Sequence, residues 1–242
     1  MKNKRIKNSH VLIIGSGQTL QLYLEEIKKN IIENDVVIFG CNNMSNLIVP
    51  DYHFWGDKDR YKKFGKNMNK KSMPVFGSHL LTNGLMKIHK NIPYKVLKYK
   101  KWSGFSKGRE INKKAKIDYK KGIISGPFRN IGTLAIFYAY LHGALKISIA
   151  GMDGYALHSK NELKEKKYSQ HCYGMGYSDF SGRKLRKNIN YYKEYLKRDK
   201  DVYKVLYLLK DYGVQFKIIT PTVFKDFYDP NVLGIENKKI IK

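Results

Sequence analysis

The chain has 242 residues, of which 42% are hydrophobic and 13% aromatic, and this composition excludes wholesale disorder. No apolar run reaches the roughly 18 residues of a membrane-spanning helix. Two cysteines, Cys41 and Cys172, are too few for a disulfide framework and match no zinc spacing, so the cytoplasm is the expected location.

The net charge of +27 has two interpretations. Lys, Asn, Ile and Tyr are abundant together, as they are in proteins of AT-rich genomes without selection for charge. Alternatively, the charge attracts a polyanion such as nucleic acid, anionic lipid or a phosphorylated glycan. The lysines are scattered, and no zinc finger, RNA-recognition signature or helix–turn–helix is present, which argues against nucleic acid.

Short apolar runs separated by glycine turns predict seven buried strands after a basic tail at residues 1–9. Helical spacing predicts a helix after the first strand, a second from Ile131 to His142, and a long one from Ser181 to Tyr212 that breaks near Arg198 to Lys200. The strands are predicted at His10–Ile14, Asp35–Phe39, Tyr52–Trp55, Pro74–Gly77, Tyr94–Leu97, Lys146–Ala150 and Gln215–Ile219.

This alternation predicts an α/β, Rossmann-like fold: one domain over residues 10–222 with a largely parallel sheet and flanking helices. Residues 98–121 are expected to be an irregular surface excursion. The polar segment at about 156–182 is expected to be lid-like, and residues 223–242 to be a weakly ordered tail. Ligands of such sheets bind at the C-terminal ends of the strands.

Polar groups follow several of these strands. The turn Gly15-Ser16-Gly17 opens a helix and allows close approach of an anion, but it matches neither the dinucleotide fingerprint nor a P-loop. Nucleotide binding and a purely structural turn both stay open. Asn42 and Asn43 suit a ribose or a base edge, or a turn with left-handed backbone.

The stretch from Lys121 to Tyr155 combines a glycine-bracketed loop, Ile124 to Pro127, with a helix and a strand. Ser125 and Gly126 could bind a phosphate, with Lys121 and Arg129 adding charge. Asp153 and Tyr155 follow the strand at its tip. Tyr155 could donate to a leaving phosphate, or be a buried tyrosine with a satisfied hydroxyl.

Two further positions are candidates for acid–base chemistry. Asp57 and Asp59 could bind metal, act as a base, or cap the helix that begins near Lys58. His171 lies in the long polar segment and is a candidate general base, or a solvent histidine without a role. The histidines at 53, 79 and 142 are expected to be structural.

The order of these parts resembles the bacterial sialyltransferases of glycosyltransferase family 42, the Campylobacter-type enzymes that use CMP-sialic acid. The MptE-like group of sugar- and pterin-linked proteins is also similar. The matching segments are VLIIGSGQTL from Val11, FGCNN from Phe39, ISG from Ile124 and AGMDGY from Ala150. The resemblance implies that the glycine turn and Asn42 contact CMP, that Ser125 and Gly126 hold the donor phosphate, and that Tyr155 assists its departure without a metal ion.

The sequence departs from that family at two places. The family's His-Tyr-x-Gly-His stretch, whose second histidine is the base, corresponds here to His171-Cys-Tyr-Gly-Met175. Either the base is His171, Asp57 or Asp179, or the protein is not a sialyltransferase in the narrow sense. A second tyrosine expected soon after Tyr155 is also absent.

The resemblance therefore implies a glycosyltransferase that moves a CMP-linked sialic acid or other nonulosonate onto a lipooligosaccharide or capsule acceptor, and the basic surface predicts peripheral contact with the anionic inner membrane. A pyrophosphokinase, a nucleic-acid-binding protein and a homo-oligomer stay open. The predicted donor-binding residues are Gly15, Ser16, Gly17, Asn42, Asn43, Ser125, Gly126 and Asp153, the candidate catalytic residues are His171, Tyr155 and Asp57, and no metal ligands or cofactors are predicted.

Overall fold

The protein has an α/β, Rossmann-like fold, built on a sheet of seven parallel strands with helices on both faces. The computed structural model describes residues 4–44, 46–81, 93–102, 105–106, 109–110, 114–157 and 191–235. Within these residues no helix is both long enough and apolar enough to cross a membrane.

The strands of the central sheet lie in the order β12-β11-β1-β2-β3-β4-β5. The strand order therefore reverses at β1, because the chain adds β2 to β5 on one side of it and β11 and β12 on the other. All seven strands end at one edge, which we call the C-terminal edge. Their bounds are His10–Ile14 (β1), Val37–Cys41 (β2), Tyr52–Trp55 (β3), Met73–Gly77 (β4), Lys95–Leu97 (β5), Lys146–Ala150 (β11) and Phe216–Ile218 (β12).

Each central strand is an apolar run because helices cover both faces of the sheet. Leu12 and Ile14 pack on the face covered by α2 (Leu24–Asn34), which follows the short α1 (Thr19–Leu22). Val11 and Ile13 pack on the opposite face, with α5 (Ile131–Leu141) and α6 (Tyr191–Asp211). The sequence predictions for β1, β3 and β11 are confirmed residue for residue.

The helix α5 is buried along its length from Ile131 to Ala139. It lies between the sheet and α6, and an all-apolar sequence suits that position. It leads directly into the parallel strand β11, so it runs opposite to the strands. Its N-terminus therefore lies at the C-terminal edge.

The stretch predicted to be an irregular excursion contains short strands, and that prediction is wrong. Two of them, Tyr99–Lys101 (β6) and Lys116–Asp118 (β9), flank Ile123–Gly126 (β10), which follows the stretch, and the three form a second sheet with β10 in the middle. A two-stranded hairpin joins Phe105–Ser106 (β7) and Arg109–Glu110 (β8). Two short helices, Lys58–Phe64 (α3) and Ser78–Leu81 (α4), follow β3 and β4.

Three other predictions also need correction. The helix α6 is continuous through Arg198 to Lys200, whereas its predicted start at Ser181 lies outside the described residues. The second strand ends at Cys41 rather than Phe39. Residues 223–235 of the predicted tail are packed rather than loose, since Phe224 and Phe227 are buried in the core, and residues 236–242 lie outside the described residues.

Candidate functional site

At the glycine turn after β1, a side chain of the protein fills the position where an anion could bind. The carboxylate of Asp153, at the tip of β11, accepts hydrogen bonds from the backbone N–H of Thr19 at 2.9 Å, from the hydroxyl of Thr19, and from the N–H of Gln18. A methyl group at Gly17 would lie 2.4 Å from that carboxylate. The position that an anion would take at the start of α1 is therefore filled by an internal carboxylate.

Burial sets the charge state of this carboxylate. It raises the pKa of Asp153 to about 6, against the three hydrogen bonds, which lower it. Asp153 thus holds the turn in place. The predicted direct contact between Asp153 and a donor would require these bonds to break.

The tips of β1, β11 and β12 are tied together around that carboxylate. A methyl group at Gly15 would lie 2.3 Å from the carbonyl oxygen of Gly151, so the two turns touch through their backbones. The hydroxyl of Thr220 accepts from the N–H of Gly151 at 2.9 Å and lies 3.1 Å from that of Thr19. The point where the strand order reverses is thus closed by internal contacts.

The tip of β2 carries the two asparagines as predicted. Asn42 has a φ of 59°, so its backbone is left-handed, as the turn interpretation requires. Its carbonyl oxygen accepts a hydrogen bond from the ring of His53 at 2.5 Å. The side chains of Asn42 and Asn43 are half-buried beside the glycine turn of the neighbouring strand.

The tip of β3 confirms one of the two aspartates as a helix cap. The carboxylate of Asp57 accepts from the N–H groups of Asp59 and Arg60, each at 2.9 Å, and caps α3. Asp57 remains exposed to solvent at the C-terminal edge.

The prediction of a loop at Ile124 to Pro127 is wrong, because Ser125 and Gly126 belong to β10, whereas their phosphate-binding role stays a prediction. Ser125 is buried and lies opposite Lys100 of β6 and Lys116 of β9. A strand engaged on both sides does not present the free N–H groups that a phosphate loop needs. Lys121 lies 3.9 Å from Asp118 and just before β10, beside Gly122, which is near Leu141 at the other end of α5.

The N-terminus of α5, a few residues after β10, has the helix-start geometry that can bind a phosphate. The side chain of Asn130 caps it by accepting from the N–H of Thr133 at 2.9 Å. Ile131 lies against Gly56 at the tip of β3, and Gly132 lies near Met152 after β11. The start of α5 therefore sits between two strand tips, over β1 and β2.

Cationic side chains surround this helix start. Arg129 forms an ion pair with the fully buried Asp201 of α6, with 2.6 Å between Nε and the carboxylate. Partial burial and the charges of Arg129 and Arg198 lower the pKa of Lys101, against Asp57, which raises it. Three cations from β6, the α5 approach and α6 thus lie within electrostatic range of one another.

Tyr155 helps to hold this arrangement. Its hydroxyl donates to the carbonyl oxygen of Arg129 at 2.7 Å, and the guanidinium of Arg198 lies 5.2 Å from its ring centre. The backbone N–H groups of Tyr155 and Ala156 both donate to Asp199 of α6. Burial raises the pKa of Asp199 to about 7. The satisfied-hydroxyl interpretation of Tyr155 is confirmed, and donation to a leaving phosphate would require that bond to exchange.

Sequence reasoning missed a pair at the tip of β4. The hydroxyl of Tyr99, on β6, lies 2.8 Å from Nδ1 of His79, and the His79 ring donates an N–H to the carbonyl of Gly56. The sequence predicts only a structural role for His79. Its place directly after a predicted strand was the available signal, but nothing in the sequence linked it to Tyr99.

Other predicted groups lie outside the described residues, namely His171, Met175, Asp179 and the lid-like segment beyond Leu157. In the part of the chain that the structure describes, no three His, Cys, Asp or Glu side chains are grouped to hold a metal ion. Cys41 is a buried free thiol.

No protein-family model matches this chain, and no curated protein matches its sequence. The resemblance to the family 42 sialyltransferases stays a prediction.

Proposed function

We propose that the protein is a glycosyltransferase that moves a sugar, a CMP-linked sialic acid or another nonulosonate, from its nucleotide onto a hydroxyl of a surface glycan. The observation that supports the proposal is that Arg129 directly precedes the cap of α5 and that Arg198 and Lys101 lie near it, Arg198 over the ring of Tyr155 and Lys101 within electrostatic range. This helix start lies at the edge of a parallel sheet where nucleotides bind in such folds.

The donor phosphate belongs at the start of α5 rather than at Ser125 and Gly126. The N-terminus of a helix carries partial positive charge, and the neighbouring cations add to it. The nucleoside then extends toward the tips of β1 and β2, where the half-buried amides of Asn42 and Asn43 can donate and accept.

The transfer is a direct displacement with inversion. The acceptor oxygen attacks the anomeric carbon as the bond to the phosphate oxygen breaks, and the cations stabilise the charge that develops on the leaving phosphate. The net charge of +27 favours peripheral association with the anionic inner membrane, where lipid-linked acceptors lie.

Thermal-shift titration with CMP, CMP-N-acetylneuraminic acid, CDP, UDP and UDP-sugars tests the proposal. CMP at about 100 times its Kd should raise Tm by about 5–10 °C. Lys101→Ala should weaken CMP binding about tenfold, through loss of a charge-assisted contact. Lys121→Ala is the matched control, since it removes the same charge from the remote, exposed end of β10.

Equal effects of the two lysine substitutions would show a non-specific attraction to anions. The absence of any nucleotide response, together with salt-sensitive DNA binding, would contradict the proposed function.

A further inference from the structure

The Tyr99–His79 pair stands at the border of the proposed donor site. The carbonyl of Gly56 accepts from the His79 ring, and Gly56 also touches Ile131, the first residue of α5. The ring of Tyr99 packs edge-on against Phe128, with 5.5 Å between centroids. Gly56 and Phe128 therefore connect the pair to the helix start that would hold the phosphate.

The surrounding backbone is shaped to hold the two rings together. A methyl group at Gly77 would lie 2.9 Å from Cε1 of Tyr99 and 3.1 Å from Cε1 of His79, so only glycine leaves both rings their place. The hydroxyl of Ser78 lies 3.5 Å from both the N–H and the carbonyl of Tyr99. His79 itself is exposed, so a substrate can reach this corner.

The hydrogen-bond directions form a chain that can accept a proton. In the tautomer whose N–H lies on Nε2, Nδ1 carries the lone pair and accepts from the Tyr99 hydroxyl at 2.8 Å. We assign this tautomer because the hydrogen bond from the His79 ring to the Gly56 carbonyl needs a ring N–H. Lys101 lies on the same side of β6 as Tyr99, because side chains alternate along a strand. It places a positive charge near the oxygen from which a proton would leave.

The protonation states fit this direction of transfer. Desolvation and the charge of Lys101 lower the pKa of His79, which favours the neutral ring, although Gly56 and Asp57 act the other way. Burial, followed by the charge of Asp57, raises the pKa of Tyr99 to about 12. Tyr99 is therefore a neutral phenol, which can take up a second proton only if it gives its own proton to His79.

We propose that Tyr99 and His79 form the proton relay that activates the acceptor hydroxyl, an inference that rests on the proposed function. The acceptor oxygen bonds to the anomeric carbon as its proton moves to Oη of Tyr99, whose own proton moves to Nδ1 of His79. The bond from the anomeric carbon to the phosphate oxygen breaks, and its electron pair leaves with CMP. The imidazolium is stabilised by the Gly56 carbonyl and by Asp57.

The relay is tested with the full chain by measuring CMP release from CMP-N-acetylneuraminic acid, with lactose as the acceptor. His79→Gln and Tyr99→Phe should each lower kcat about 100-fold or more, which is the range of general-base catalysis. Their affinity for CMP should stay unchanged. His142→Gln and Tyr119→Phe are matched controls, because His142 ends α5 at the opposite edge and Tyr119 lies beyond β9.

Two readouts separate a relay from a merely structural pair. The rise of kcat with pH on the acid side of the wild-type profile should disappear in His79→Gln. Added imidazole should restore part of the turnover of His79→Ala, because the vacated position is exposed.

A wild-type protein that releases CMP while both variants match its kcat and pH profile would overturn the relay alone. A wild-type protein that neither binds CMP nor releases it would overturn the proposed function, and the relay with it.

Discussion

The buried carboxylate of Asp153 predicts an unusual dependence of stability on pH. Asp153→Asn keeps the shape of the side chain but removes its ionisation. The pKa of Asp153 is raised from 3.8 to about 6 in the folded protein, chiefly by burial. Each pKa unit corresponds to about 1.4 kcal/mol, so ionisation costs the folded state about 3 kcal/mol.

The direction follows from which state releases its proton first. Below pH 3.8 the side chain is neutral in both states and the cost is absent. As the pH rises toward 6, the unfolded chain ionises while the folded protein holds its proton, and stability is lost. The free energy of unfolding of the wild type, relative to Asp153→Asn, should fall by about 2 kcal/mol between pH 4 and pH 7.

Urea unfolding followed by circular dichroism at several pH values measures this difference. Subtracting the variant cancels the contributions of His10 and His53, whose pKa values burial lowers to about 4. Asp211→Asn removes the same charge from an exposed position at the end of α6 and controls for net charge. A flat difference, or a wild type that gains on Asp153→Asn as the pH rises, would refute the reasoning.

Two further predictions concern the same edge. Gly15→Ala should lower the free energy of unfolding by about 3 kcal/mol, because the new methyl group meets the Gly151 carbonyl at 2.3 Å. Gly213→Ala, in open space with a φ of +78°, should lower it by only about 1 kcal/mol. Equal losses in urea unfolding would contradict the backbone contact. Arg129→Met should lower the free energy of unfolding by about 3 kcal/mol, because it leaves the buried Asp201 without its ion pair. Adding Asp201→Asn should recover part of that loss. A double-mutant cycle that shows no coupling would argue against the pair.

The large strands were predictable because burial on both faces leaves a continuous apolar signal. His10–Ile14 and Lys146–Ala150 are such runs, and each ends at a glycine. The strands of the second sheet were not predictable from the sequence, because each has at most four residues. The residues of β6 are also largely polar and exposed. A local sequence pattern of that length does not specify a strand without its partners.

The candidate site was predictable only where a feature depends on the local sequence and not on a contact with a distant residue. Asn42 stands at its expected strand tip, and Asp57 caps its helix as one interpretation required. Arg198 and Asp199, where the sequence predicts a break in the helix, instead contact Tyr155 from within a continuous helix. The pairing of His79 with Tyr99 depends on a tertiary contact that no spacing in the sequence encodes.

The position of β1 has a consequence for synthesis on the ribosome. Strand β1 pairs with β2 on one side, but its other neighbour, β11, begins only at Lys146. At about 5–20 residues per second, the nascent chain carries β1 with one unpaired edge for many seconds. An unpaired apolar strand edge is a template for aggregation. A chain stalled before β11 emerges should therefore bind chaperones, because β1 gains its second neighbour only after β2 to β5 and the second sheet have been synthesised.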